Sequence, residues 1–150
     1  MPHSFDNVLL HIVFATKFRE KILGDDIRSE LHAYIGGIAS NIGSVLLAAG
    51  SVSDHIHLLV SLPRTCTPAK LVQDIKAGSS KWIRSMGGRY VHFSWQVGYS
   101  VFSVSAFDKK GLVRYIENQA SHHARESFVS EHWKLTVRHE IAVNEPNKWD

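Results

Sequence analysis

The chain has one cysteine, Cys66, in 150 residues, which excludes an internal disulfide and any zinc cluster built from the cysteines of a single chain. No apolar run approaches the roughly 20 residues that a membrane-spanning helix needs. The opening stretch, MPHSFDNVLLHIVFATKFRE, lacks the basic start, long apolar segment and small-residue cleavage site of a signal peptide. A soluble protein of the reducing cytoplasm is the expectation. There is also no strong charge of either sign. Seventeen Lys and Arg against 14 Asp and Glu leave a net +3 and a pI of ≈ 9.1, an excess that suits a polyanionic partner without establishing one. Repeats, low-complexity tracts and linkers are lacking too, so residues 1–150 read as one domain. Histidine, by contrast, is plentiful, with ten residues.

Hydrophobic periodicity sets out the elements. Val8 to Phe18 is rich in β-branched and aromatic residues and reads as a buried first strand. After Gly24, Asp25 and Asp26 open a helix with Ile27, Leu31, Tyr34, Ile35 and Ile38 on one face, ending near Asn41 and Gly43. Val45 to Ala49 and His55 to Leu62 read as two strands of a hairpin. Pro63 and Pro68 punctuate the next loop, and Thr67 caps a second helix whose first residue is Pro68 and which runs towards Met86. Gly87 and Gly88 stop it. Tyr90 to Trp95 supplies a fourth strand, Gln96 to Ser105 is irregular, and helices follow from about Phe107 to Ala124 and from about Phe128 to His139, with Gly98 and Gly111 as bends. The order βαββαβ is the split pattern of an α+β, ferredoxin-like domain: an antiparallel sheet with two helices on one face, here extended by C-terminal helices.

Two constellations carry chemistry. On a strand, His55-Ile56-His57 puts both imidazoles on one face and sends Ile56, Leu58 and Val60 to the other. In a chain with this much histidine the expected chance count of His-x-His is roughly two-thirds of one occurrence, so the spacing is weak by itself and the pair also reads as half-buried strand residues. In Tyr115-Ile116-Glu117-Asn118-Gln119 a helix sets Tyr115 and Gln119 one turn apart on one face. Two imidazoles under-coordinate a divalent ion, and a Gln oxygen is a reasonable third donor. The tyrosine then reads as a nucleophile whose phenolate needs a metal or positive neighbour, and Lys109, Lys110 and Arg114 are close in sequence. Tyr115 reads equally as a core residue beside Leu112 and Ile116.

Taken together and in order, these pieces resemble the single-tyrosine HUH transposases of the insertion-sequence-200-like type and their repetitive-palindrome-associated relatives. The resemblance runs through His11–Arg19, Asp54–Val60, Trp95–Tyr99, Phe102–Ser105, Tyr115–Gln119 and His122-His123. It implies a homodimer, in which family members can share active sites between subunits, a requirement for Mg2+ or Mn2+, and single-stranded DNA hairpins at element ends as substrate. It implies that His55, His57 and Gln119 are metal ligands and that Tyr115 cuts and rejoins DNA through a 5′-phosphotyrosine link.

Lys70, Lys76, Lys81 and Arg84 on the second helix, or Arg114 beside Tyr115, are the cations available for phosphate contact; Lys76, Lys81, Arg84 and Arg114 are taken as the DNA-binding set, against the ordinary reading of basic residues as a solvated helix face. Asp54 reads as a turn residue in preference to an imidazole partner. Trp82 and Trp95 read as core, while Tyr99 is available for base stacking. His122 and His123 are not assigned as ligands. Two other functions fit the same residues: a domesticated HUH nickase acting on palindromic repeats, and a non-catalytic ferredoxin-like module that binds single-stranded nucleic acid.

Overall fold

The computed structural model describes residues 4–120 and 126–141. The strands are β1 (Leu9–Ala15), β2 (Leu46–Ser51), β3 (His55–Ser61) and β4 (Ser100–Val104); the helices are α1 (Asp25–Asn41), α2 (Pro68–Ser85), α3 (Lys109–Glu117) and α4 (Phe128–Arg138). The sheet order is β2-β3-β1-β4, every neighbouring pair antiparallel. This is the ferredoxin-like arrangement that the element order implies. Among the described residues no helix is long and apolar enough to cross a membrane.

Alternation along the two central strands gives the sheet two different faces. Leu10, Ile12 and Phe14 of β1 join Ile56, Leu58 and Val60 of β3 in the main core, closed by Leu31 and Ile35 of α1 and Leu71, Val72 and Ile75 of α2. The opposite face carries Leu9, His11, Val13 and Ala15 of β1 with His55, His57 and Leu59 of β3. There α3 packs through Ile116 against Leu9, Ala48 and Leu59, and α4 packs through Phe128 against Val13, Ala15 and Phe102. The C-terminal helices therefore cover the face that α1 and α2 leave open.

Helix ends follow local chemistry. The Thr67 hydroxyl accepts the Lys70 N–H at 3.1 Å, with Pro68 as the first helical residue of α2. Ser127 caps α4 in the same way through the Ser130 N–H.

Several expectations of the fold need correction. Tyr90–Trp95 is not the fourth strand. Tyr90 N bonds to Gly87 O and Phe93 N to Tyr90 O, so the segment folds in tight turns, with Trp95 making only an isolated bridge to Thr16. Its aromatic residues are anchors: Tyr90, Phe93 and Trp95 all enter the main core. The fourth strand comes from the stretch expected to be irregular, as a short edge strand whose serines weaken the apolar pattern. The helix expected from Phe107 to Ala124 is shorter: Phe107 is 98% exposed, α3 ends at Glu117, and Asn118 leaves helical geometry at φ −99, ψ 20 before residues 119 and 120 resume it. Gly111, expected at a bend, lies inside α3. Ala124 falls outside the described residues.

Trp95 ties the turn segment to both layers. Its indole N–H donates to Ser79 Oγ at 2.9 Å, and its ring meets Phe14 and Phe93 edge-on at 4.7 and 4.9 Å. Replacing Trp95 by Ala is expected to lower unfolding stability by about 3–5 kcal/mol in urea denaturation. A loss under ~1 kcal/mol would show that the segment is not anchored through this ring.

Candidate metal and tyrosine centre

The site grows out of the polar interruption in the second face. His55 and His57 are fully buried on β3, and His11 stands beside them on β1. His11 Nε2 lies 2.8 Å from His57 Nδ1, and the two rings stack with centroids 5.0 Å apart. Asp54, in the β2–β3 bend, places Oδ1 2.7 Å from His55 Nδ1, so it orients an imidazole as well as occupying the turn. With both Nδ1 atoms engaged, the Nε2 atoms of the pair turn towards the helices.

What they meet is Glu131 of α4. Its Oε1 lies 2.8 Å from His57 Nε2 and 3.5 Å from His55 Nε2. Its Oε2 accepts the Tyr115 hydroxyl and faces Gln119 Nε2 at 3.4 Å. Tyr115 sits edge-on to His57 with ring centroids 5.8 Å apart. One chain thus brings together His55, His57, Tyr115 and Gln119, the four residues singled out from the sequence. It adds His11 and Glu131, which sequence reasoning missed. The signal for Glu131 was present: Phe128, Glu131, His132 and Thr136 form the buried stripe of α4, and a carboxylate at a core position of an amphipathic helix requires a partner.

The electrostatics are set by burial and by this carboxylate. Burial, followed by the hydrogen bond to Glu131 and that residue's charge, pushes the Tyr115 phenol well above its ordinary value. Burial pulls His55 down, but hydrogen bonds and charges from Asp54 and Glu131 outweigh it and leave the imidazole raised. Burial, and then His57, hold His11 well below the ordinary histidine range.

The donor set suits a divalent cation. Nitrogens of His55 and His57 and an oxygen of Glu131 all lie within 4.8 Å of one another. Gln119 Oε1 is buried with no hydrogen-bond partner among the described residues. An orphaned carbonyl oxygen beside two imidazoles and a carboxylate is the kind of exception that a bound ion accounts for.

The centre opens into a cleft of ≈ 750 Å3 between β4, α3 and α4, lined by His11, Tyr115 and Glu131 and by the cations Lys110, Arg114 and Arg138. Arg114 is therefore beside the tyrosine. The other three expected phosphate contacts lie on α2, across the sheet from the imidazoles. Lys76 is committed to the carbonyls of Gln96 and Gly98 at 2.6 and 2.8 Å, a structural role that a flexible helix lysine does not announce in sequence. Arg84 donates to Phe93 O at 3.2 Å, and Lys81 is exposed. Trp95 is buried and Trp82 is half-buried, stacked on Tyr34 at 5.4 Å, while Tyr99 is 40% exposed. His122 and His123 lie outside the described residues.

Comparison with known proteins finds matches in sequence and in fold. Residues 4–119 match the family model described as IS200-like transposase. The ISDra2 transposase TnpA of Deinococcus radiodurans is 25% identical over 118 residues, covering 73% of this chain and 81% of that protein. A crystal structure from Deinococcus radiodurans, assigned as a transposase, superposes with a TM-score of 0.63 at 25% identity, over 79% of this chain and 95% of that one. The REP-associated tyrosine transposase bound to a REP hairpin shares the fold, with a TM-score of 0.53 at 14% identity over 99% of this chain and 78% of that one. Glu131 lies beyond the stretch matched by the family model.

Gly50 on β2, opposite His57, lets the end of α3 reach this centre. A Cβ there would stand 1.8 Å from the Ile116 carbonyl oxygen and 3.2 Å from Gln119 Cγ. Gly50→Ala must push α3 away, with an expected cost of about 1–3 kcal/mol in thermal or urea unfolding. Wild-type stability in that variant would contradict so close an approach.

Proposed function

The chain belongs to the IS200-like transposase family, and on that premise we propose that it cuts and rejoins single-stranded DNA at hairpin-bearing element ends through a covalent link to Tyr115. One observation carries the reading: the Tyr115 hydroxyl, His55, His57 and Gln119 converge on a buried cluster that opens into a cleft with a basic rim.

Each residue then has a task. Arg114, with Lys110 and Arg138, attracts the backbone and sets a phosphate against the tyrosine. The Tyr115 oxygen attacks phosphorus. The Tyr–O–P bond forms as the P–O3′ bond breaks, the electron pair stays on the 3′ oxygen, and that oxygen gains the proton which the phenol gave up. The products are a 5′-phosphotyrosine and a free 3′-hydroxyl. Attack by a 3′-hydroxyl on the phosphotyrosine reverses the step, so joining needs no external energy source. His55, His57 and Gln119 would hold a divalent cation, Mg2+ or Mn2+, whose positive charge polarises the phosphate and favours the phenolate. Asp54 and His11 fix the orientation of the two imidazoles. The phenol, held protonated by burial and Glu131, stays unreactive until the site is loaded. The homodimer implied by the family resemblance is kept as part of this reading; within one chain, Tyr115 already faces His57.

Mixing the protein with labelled hairpin DNA from the flanks of its own gene, with Mg2+ or Mn2+, should give a slow-migrating covalent band on a denaturing gel. Tyr115→Phe should still bind the hairpin and form no adduct. Hairpin binding without adduct under either metal would favour the binding module, and an adduct persisting in Tyr115→Phe would remove the tyrosine from its role. For a site complete within one chain, mixing Tyr115→Phe with His57→Ala should restore no cleavage, whereas recovered activity would place the tyrosine in a partner's site.

A further inference from the structure

We propose that Glu131 is a working residue of the centre, supplying a carboxylate donor to the cation held by His55, His57 and Gln119 and positioning the Tyr115 hydroxyl. The proposal rests on the metal-dependent reading above and extends it to a residue outside the matched stretch 4–119.

A carboxylate 2% exposed is costly to bury unless donors or a cation compensate it. Here both oxygens are spoken for by the reaction's own residues. Oε1 stands between His55 Nε2 and His57 Nε2, and Oε2 takes the Tyr115 hydroxyl and faces the Gln119 amide. The same carboxylate therefore touches all four residues assigned to the chemistry. A group serving only to fill the core has no reason to select those four. An oxygen facing two imidazole nitrogens lies where a cation and its carboxylate ligand would share them, and an anionic oxygen is a strong donor for Mg2+ or Mn2+.

The helix is built to deliver this residue accurately. Ser127 caps it one residue before Phe128, whose ring lies 4.5 Å from the His55 ring and enters the apolar cluster with Val13, Ala15 and Phe102. His132, the residue after Glu131, brings Nε2 to 2.6 Å from Ser100 Oγ on β4. Anchors on both sides fix the carboxylate along the helix axis, as a positioning residue requires. The C-terminal helix is thus part of the centre, and the donor set becomes two imidazoles, one carboxamide and one carboxylate.

The test is a Mn2+ titration of the full chain, without DNA, followed by calorimetry for the native protein, Glu131→Gln, Glu131→Asp and His57→Ala. Hairpin binding and melting temperature are recorded for each variant. Glu131→Gln preserves size and removes charge; Glu131→Asp preserves charge and withdraws it by one methylene. The expected result is a fall in Mn2+ affinity of about tenfold or more in Glu131→Gln, a smaller fall in Glu131→Asp, and native hairpin binding in both. At saturating Mn2+, adduct formation by both should still be slower than native, because the tyrosine is less well held. Native Mn2+ affinity in both Glu131 variants, with affinity lost in His57→Ala, overturns the role of Glu131 alone. Native affinity in all three overturns the cation reading on which it rests.

Discussion

Every feature of this centre depends on the two-residue period of β1 and β3. Because side chains alternate across a strand, the apolar set Leu10, Ile12, Phe14, Ile56, Leu58 and Val60 cannot seal the main core without sending His11, His55 and His57 together to the other side. A slip of β3 by one residue would turn His55 and His57 in among Leu31, Leu71 and Ile75 and turn Ile56, Leu58 and Val60 out of the main core. The register that makes the fold stable is therefore the register that assembles the imidazoles, and stability and chemistry constrain the same pair of strands.

Covering that second face creates the electrostatic problem the site exploits. α3 and α4 bury it with apolar contacts at either side, Ile116 on one and Phe128 on the other, leaving a polar strip between them. Within the strip, an acidic group, two imidazoles, a phenol and a carboxamide satisfy one another apart from Gln119 Oε1. Burial there strengthens each pairing and raises the cost of each unpaired group. A phenol held above its ordinary range beside a carboxylate stays protonated, and under the proposed function positive charge entering the strip would release it as the nucleophile. Gly50 contributes by having no side chain, since the end of α3 occupies the space a Cβ would need.

Much of this was legible in the sequence where the governing interactions are local. The hairpin, the Thr67–Pro68 start of α2, the extent of α1 and of α4, and the shared face of His55 and His57 all follow from period, caps and punctuation. Sequence pattern and structure diverge where tertiary contacts override local preference. Tyr90, Phe93 and Trp95 have strand-like composition, yet each is drawn inward as an anchor from a turn; Ser100–Val104 looks irregular because, as an edge strand, it needs only one partner and tolerates serines. Lys76 resembles a solvated cation until the Gln96–Gly98 loop folds back over it. Glu131 joins β3 across 74 residues, a distance no local rule spans, although its place on the buried stripe of α4 marked it as a carboxylate in need of a partner.

Under the proposed function these side chains converge on one cation-binding point. Anomalous diffraction from crystals of the protein soaked in Mn2+ would locate that point. The expected result is a single strong manganese peak within bonding distance of His55 and His57, with Gln119 Oε1 turned towards it. A manganese peak elsewhere, with His57 and Glu131 still bonded directly to each other, would contradict that convergence.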